Sequence, residues 1–177
     1  MTNDYAEQVA RTRAAYKEAR ERFAARLRNA SDADVHHVPA GGGWSAAQIG
    51  WHVAAVDASF ASILASDSPV PKAIPAGETA RTWTEVVAGM PAKLEAGKRV
   101  SPPADASRDG VLASLDDSAR KLDAALAALP EDRASGFAIT HPALGTIALG
   151  LIGEWATAHV IRHNAQAKRV LAEVSAT

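Results

Sequence analysis

Apolar residues return every three or four positions along four long stretches of this chain, and that spacing predicts four amphipathic helices. The first covers about 4–29, where Val9, Ala10, Tyr16, Ala19, Phe23 and Leu27 stand between Arg, Lys and Glu. The second covers about 45–64, with an inward stripe of Ile49, His52, Val56, Phe60 and Ile63. A third runs over about 107–129 on Val111, Leu115, Leu122, Leu126 and Leu129, and Pro130 stops it. The fourth is expected over about 146–174, and its stripe is Ile152, Trp155, His159, His163, Gln166 and Val170. In two of the four stripes, histidine stands where leucine would normally sit.

The connections differ in length. "SDADVHHVPAGGGW" (31–44) collects turn formers and three consecutive glycines, which predicts a loop. Ser45 then opens helix two with "SAAQ", a capping box in which the Ser45 hydroxyl accepts from the Gln48 amide while Gln48 reaches back. Residues 66–106 are rich in Pro, Gly and Ser, broken by one short amphipathic piece, "TWTEVVAGMPAKLEA" (82–96), and form a long crossover between helices two and three. No segment shows the period-two alternation of a half-buried strand, so the expected fold is all-α: one domain over 1–177, a four-helix bundle with a long crossover connection.

Composition narrows the function. A formal charge of −1 with no Lys/Arg cluster argues against a nucleic-acid partner, which needs many phosphates neutralised. Residues 134–153 carry no charge and could mislead a hydropathy scan, but "THP" and several glycines break any helix there. No membrane partner is expected, and the polar amino terminus reads as lacking a signal peptide, which makes cytoplasmic the default location. Cysteine is absent, so any metal site must be built from imidazole, carboxylate and water.

"HVIRH" (159–163) raises that possibility, because residues four apart share one helix face and two imidazoles there could ligate one ion. Six histidines in a chain this long make such a pair common by chance, so spacing alone is weak. Placement strengthens it: His52, His159 and His163 all fall on inward stripes, and buried imidazoles need partners. Three imidazoles would leave a coordination position open to water or substrate. Three merely buried histidines remain the plainer account. A zincin-type protease is excluded, since the residue after the first histidine is Val160 rather than Glu.

Asp57 and Glu154 could each orient an imidazole or move a proton, although a solvated helix charge is the more ordinary reading of both. Gln166 could donate to a metal-bound water or be a satisfied core amide. His36, His37 and His141 lie in predicted loops, where surface histidine is the plain reading. Trp44, Trp51 and Trp155 read as core, and Trp83 stands apart.

"WSAAQIGWHVAAVD" (Trp44 to Asp57) resembles the helix-two signature of the DinB/YfiT-like metalloprotein superfamily, a Trp-Ser cap leading into a helix that delivers one histidine ligand. "HPALGTIALGLIGEWATAHVIRHNAQ" (His141 to Gln166) resembles that superfamily's final-helix signature, and Arg162, His163 and Gln166 fit it as well. The resemblance implies a DinB-like bundle in which His52, His159 and His163 bind a divalent ion such as Ni, Zn or Fe(II). It also implies a homodimer, a small-molecule substrate and possible use of a low-molecular-weight thiol, as in thiol-dependent S-transferases and isomerases. The superfamily's name reflects induction by DNA damage in some members and gives no support for DNA binding.

The expected activity is therefore nucleophilic transfer or hydrolysis at an open Lewis-acid site. The competing class is a non-enzymatic, stress-related bundle, a binding or dimerisation module whose ion contributes stability.

Overall fold

In the computed structural model, residues 2–91 and 96–174 are described. The four predicted helices are all present: α1 (Asn3–Asn29), α3 (Ala46–Leu64), α5 (Arg108–Ala128) and α7 (Ile152–Val174). Each of the first three begins on a hydroxyl cap. Thr2 accepts from the Tyr5 amide, Ser45 from Gln48 and Ser107 from Gly110, which satisfies amides that a helix start leaves unpaired.

Side-chain contacts set the direction of each helix. Arg13 meets Asp123, and Tyr5 donates to the Leu129 carbonyl, so α1 runs antiparallel to α5. Thr12 meets Glu154 and Arg26 meets Asn164, so α1 and α7 run parallel. Against α3, α7 is antiparallel, with Phe60 beside Trp155 near one end of the contact and His52 beside His163 near the other. The order is up, down, down, up, which a bundle can adopt only if one connection crosses its full length. The 66–106 segment is that crossover.

Packing follows the apolar stripes. Tyr16, Phe23, Leu27, Ile49, Leu115, Leu122 and Ile152 are fully buried in one core. Gly50 lets α3 approach closely: a Cβ there would stand 2.6 Å from Val111 and 2.7 Å from Leu27. All three tryptophans expected in the core, Trp44, Trp51 and Trp155, pack against it half-buried. Trp83 belongs to a satellite cluster with Val86, Leu144 and Ile147.

Three expectations need correction. The fourth helix begins at Ile152 rather than near 146, because residues 137–148 form a hairpin: β2 (Phe137–His141) pairs antiparallel with β3 (Gly145–Ala148). Its turn closes on Gly145 with φ of 77°, a left-handed conformation that glycine adopts without steric penalty. So a period-two segment exists, too short to rise above the surrounding apolar run, and a two-residue strand from the crossover, β1 (Lys72–Ala73), extends it to three strands. Second, connections expected as plain loop hold short helices, α2 (Asp32–His36) and α6 (Glu131–Gly136), and the crossover carries a 3₁₀ turn at Lys98–Val100 besides its expected short helix, α4 (Trp83–Ala88). α4 realises the predicted piece at 82–96, of which residues 92–95 lie outside the described residues. Third, Asp57 is not a solvated helix charge: it is buried in the bundle against Tyr16 and Arg20. Among the described residues no helix is long and apolar enough to cross a membrane.

Candidate metal centre

The Ser45 capping box fixes where α3 starts: the Gln48 amide donates to Ser45 Oγ at 3.2 Å, and the Ser45 amide donates to Gln48 Oε1 at 3.1 Å. That start sets the phase of the helix, so His52, two turns in, faces the bundle interior and is only 6% exposed. The Trp44 ring covers it at 4.9 Å between centroids. His52 Nδ1 lies 2.7 Å from the Val100 carbonyl, which can only accept. The proton is therefore on Nδ1, and Nε2 keeps its lone pair.

That lone pair faces α7. His52 Nε2 stands 3.1 Å from His159 Nε2, and the three ring centroids are 4.4 to 5.0 Å apart. His163 Nδ1 is held 2.8 Å from Gln166 Oε1, one turn further along the helix. Donation from Nδ1–H to that amide oxygen again leaves Nε2 as the basic nitrogen. His159 Nδ1 is buried without a hydrogen-bond partner.

All three imidazoles are neutral near pH 7. Burial depresses each one; for His163, burial and the neighbouring His52 bring it down to about 4 against the opposing pull of Gln166. His159 is driven well below the ordinary histidine range by burial first, then by His163, His52, Arg162 and Arg20. His52 is lowered by burial, partly offset by its bond to Val100. Three cations could not share this volume; without an ion the His159 Nε2–H donates to the His52 Nε2 lone pair, and a bound ion would take the place of that proton.

The donor set fits a divalent ion. One ligating atom from each of His52, His159 and His163 lies within 4.8 Å of the others. Two nitrogens bound tetrahedrally at ~2.0–2.1 Å from an ion are separated by about 3.3–3.4 Å, so the 3.1 Å between His52 and His159 is close to what an ion needs, with the third donor within 4.8 Å. Two outer nitrogens are anchored, as ligating imidazoles generally are, and three protein donors leave room for a further ligand.

The carboxylates part ways. Asp57 is completely buried: Tyr16 Oη donates to Oδ2 at 2.7 Å, and Arg20 Nε forms an ion pair with the same oxygen at 3.3 Å. Burial pushes its carboxyl up to about 6, opposed by Arg20 and Tyr16. Residue 57 lies four after Val53 and three before Phe60, so the buried face of α3 is wider than the predicted stripe and takes it in. Glu154 instead fastens α7 to α1 through Thr12 Oγ1 at 3.2 Å and Gln8 Nε2 at 3.4 Å.

The loop histidines stay outside the triad. His36 ends α2 with its ring between the Asp32 and Ala106 carbonyls, and His37 caps the same helix. His141 Nδ1 accepts from the amides of Ala143 and Leu144 across the hairpin turn, and its ring lies edge-on to Trp155 at 5.3 Å. Two partners of the site had no signal in the sequence, the Val100 carbonyl and the buried Arg20. A cleft of about 450 Å³ opens between α1 and α5 over Tyr16, Arg20 and Leu115; none of the three imidazoles lines it.

These features define a class: an up-down-down-up helical bundle whose antiparallel α3 and α7 gather three neutral imidazoles into a group able to hold a metal. The chain belongs to the DinB superfamily, whose family model matches residues 15–167. It is similar to a crystal structure described as that of the conserved protein of locus from Enterococcus faecalis, with 17% identity, a TM-score of 0.65, and 94% of this chain and 96% of that chain covered. At that identity the likeness concerns the fold alone. No curated protein matches the chain.

Proposed function

We propose that this chain is a metal-dependent enzyme whose site is formed by His52, His159 and His163, acting on a small molecule with a low-molecular-weight thiol as cosubstrate. Nickel, zinc or iron(II) suits the donor set, and the reaction is nucleophilic transfer, with hydrolysis as the variant in which water replaces the thiol. The observation that carries this reading is the neutral triad, with the Nδ1 atoms of His52 and His163 tied back so that both Nε2 lone pairs are presented. When bound, the ion supplies Lewis acidity that brings a thiol or water to its nucleophilic form near neutral pH.

The chain's own residues prepare the site. Val100 and Gln166 set the tautomers of His52 and His163. Trp44 and the core around His52 keep bulk water away from one side, which strengthens every charge interaction inside. Of Asp57, Glu154 and Gln166, only Gln166 hydrogen-bonds a triad imidazole. Thiol use and a homodimer rest on the superfamily's character.

A second reading is a metal-dependent helical module for binding or dimerisation. The near-complete burial of His52 favours it, because a closed site suits a structural ion. One set of experiments separates the two. Metal content of the purified protein is compared with that of His52→Ala and of the triple His52→Ala/His159→Ala/His163→Ala variant, and thiols are screened against electrophiles. The enzyme reading expects stoichiometric metal and thiol transfer in the wild type, with His52→Ala losing activity far more than thermal stability. A large fall in melting temperature on chelation, with no thiol chemistry, would support the module. Equal metal in the wild type and the triple variant would sink the site.

A further inference from the structure

Deepening the metal-site reading, on which it rests, we propose that Asp57, held by Arg20 and Tyr16, is the positioning residue for His159: its Oδ1 receives the His159 Nδ1–H, with one buried water as bridge. Two members of the triad have visible anchors on Nδ1, Val100 for His52 and Gln166 for His163. His159, whose Nδ1 is buried, has none, and a ligating imidazole normally donates its second N–H to a carboxylate, a carbonyl or water.

Register brings the missing acceptor to the right height. α3 and α7 are antiparallel, with His52 beside His159 and His163 and Phe60 beside Trp155. Residue 57 of α3 therefore lies level with the turn of α7 between Trp155 and His159. α1 agrees independently: Thr12 meets Glu154 and Arg26 meets Asn164, which puts Arg20 level with His159. Arg20 and Asp57 are themselves paired. So Arg20, Asp57 and His159 occupy one layer of the bundle, and the charge of Arg20 is felt at His159.

The unpaired atoms of that layer are complementary. Asp57 Oδ1, Arg20 Nη1 and His159 Nδ1 are all buried without a hydrogen-bond partner. Buried polar groups rarely stay so, and one water can take a donor from Arg20 and His159 while donating to the carboxylate. Glu154 Oε2 is the other unpaired buried carboxylate oxygen among the described residues. Its carboxylate is committed to Thr12 and Gln8, more than a turn before His159. Tyr16 and Arg20 both engage Oδ2, which leaves Oδ1 for His159.

The test uses zinc(II) and the full chain. Affinity is measured by competition with a chromophoric chelator, and the imidazole N–H protons of the zinc-loaded protein are followed by NMR. Two variants are compared with the wild type: Asp57→Asn, and Tyr16→Phe/Arg20→Met/Asp57→Leu. The second replaces the whole buried polar group by apolar side chains, so no charge is stranded and the bundle folds, as circular dichroism will confirm. We expect the triple replacement to bind zinc 10–100-fold more weakly, with Asp57→Asn between it and the wild type. The His159 Nδ1–H signal should move upfield while those of His52 and His163 hold their positions. Zinc affinity within twofold of wild type in the folded triple replacement, with an unmoved His159 signal, overturns the assignment while leaving the metal site standing. A wild type that takes up no zinc overturns the metal site, and the assignment falls with it.

Discussion

Acid should destabilise the metal-free protein through the triad, and His163 allows the effect to be sized. Its folded value, about 4, lies well below the 6.5 of a free histidine. Between those values the unfolded chain binds the proton and the folded one does not, so stability rises with pH across the window. The contribution of His163 is whole above pH 6.5 and is lost as pH falls toward 4. At about 1.4 kcal/mol for each tenfold change in the protonation equilibrium, the full loss is about 3 kcal/mol. His52 and His159 are lowered as well and act in the same direction. Asp57 acts in the opposite one: its folded value is raised to about 6, so the folded state takes up that proton first and regains stability as pH falls from 6 to 3.8. The measurement must therefore be a difference between proteins. Chelator-treated wild type and His163→Gln are unfolded in urea at pH 7.5 and again at pH 4.5. Asp57 is common to both and cancels, and the wild type should lose about 2–3 kcal/mol more than the variant over that span. Parallel losses in the two proteins would show that His163 is not held neutral by the fold, and the account of the triad's electrostatics would be wrong.

Two further predictions concern the scaffold that holds the site. Gly50→Ala would push a methyl against Val111 and Leu27, both buried; overpacking of about 1–3 kcal/mol outweighs a helix-propensity gain of about 1 kcal/mol, so urea denaturation should show a net loss of roughly 1 kcal/mol. Ser45→Ala removes the acceptor for the Gln48 amide at the start of α3, which costs about 1 kcal/mol and lowers the melting temperature by about 2–4 °C. Its metal content should match that of the wild type, because the later turns of α3 that carry His52 stay packed.

Much of the bundle is legible in the residue pattern. The four long helices follow from apolar spacing, the opening of α3 from "SAAQ", and the inward placement of His52, His159 and His163 from the same stripes that set the helices. Other parts are not. The 137–148 hairpin is hidden because its strands are five and four residues long and sit in an uncharged run, although Phe137, Ile139 and Thr140 before the Gly145 turn are a strand signal. The burial of Asp57 is equally silent in the pattern, because a carboxylate on a helix is ordinarily solvated and only the arrival of Arg20 and Tyr16 makes its burial tolerable.

Periodicity and capping are local, so the sequence alone determined which residues become helices, which faces turn inward, and that imidazoles rather than thiolates would furnish any metal ligands. Register is not local. That His52 meets His159 and His163, that a crossover carbonyl at Val100 selects the His52 tautomer, and that a buried Arg20–Asp57 pair lies level with His159 were settled only when α1, α3 and α7 packed. His52 stands 48 residues from Val100 and 107 from His159 along the chain, and no pattern in that interval encodes the distance between them in space.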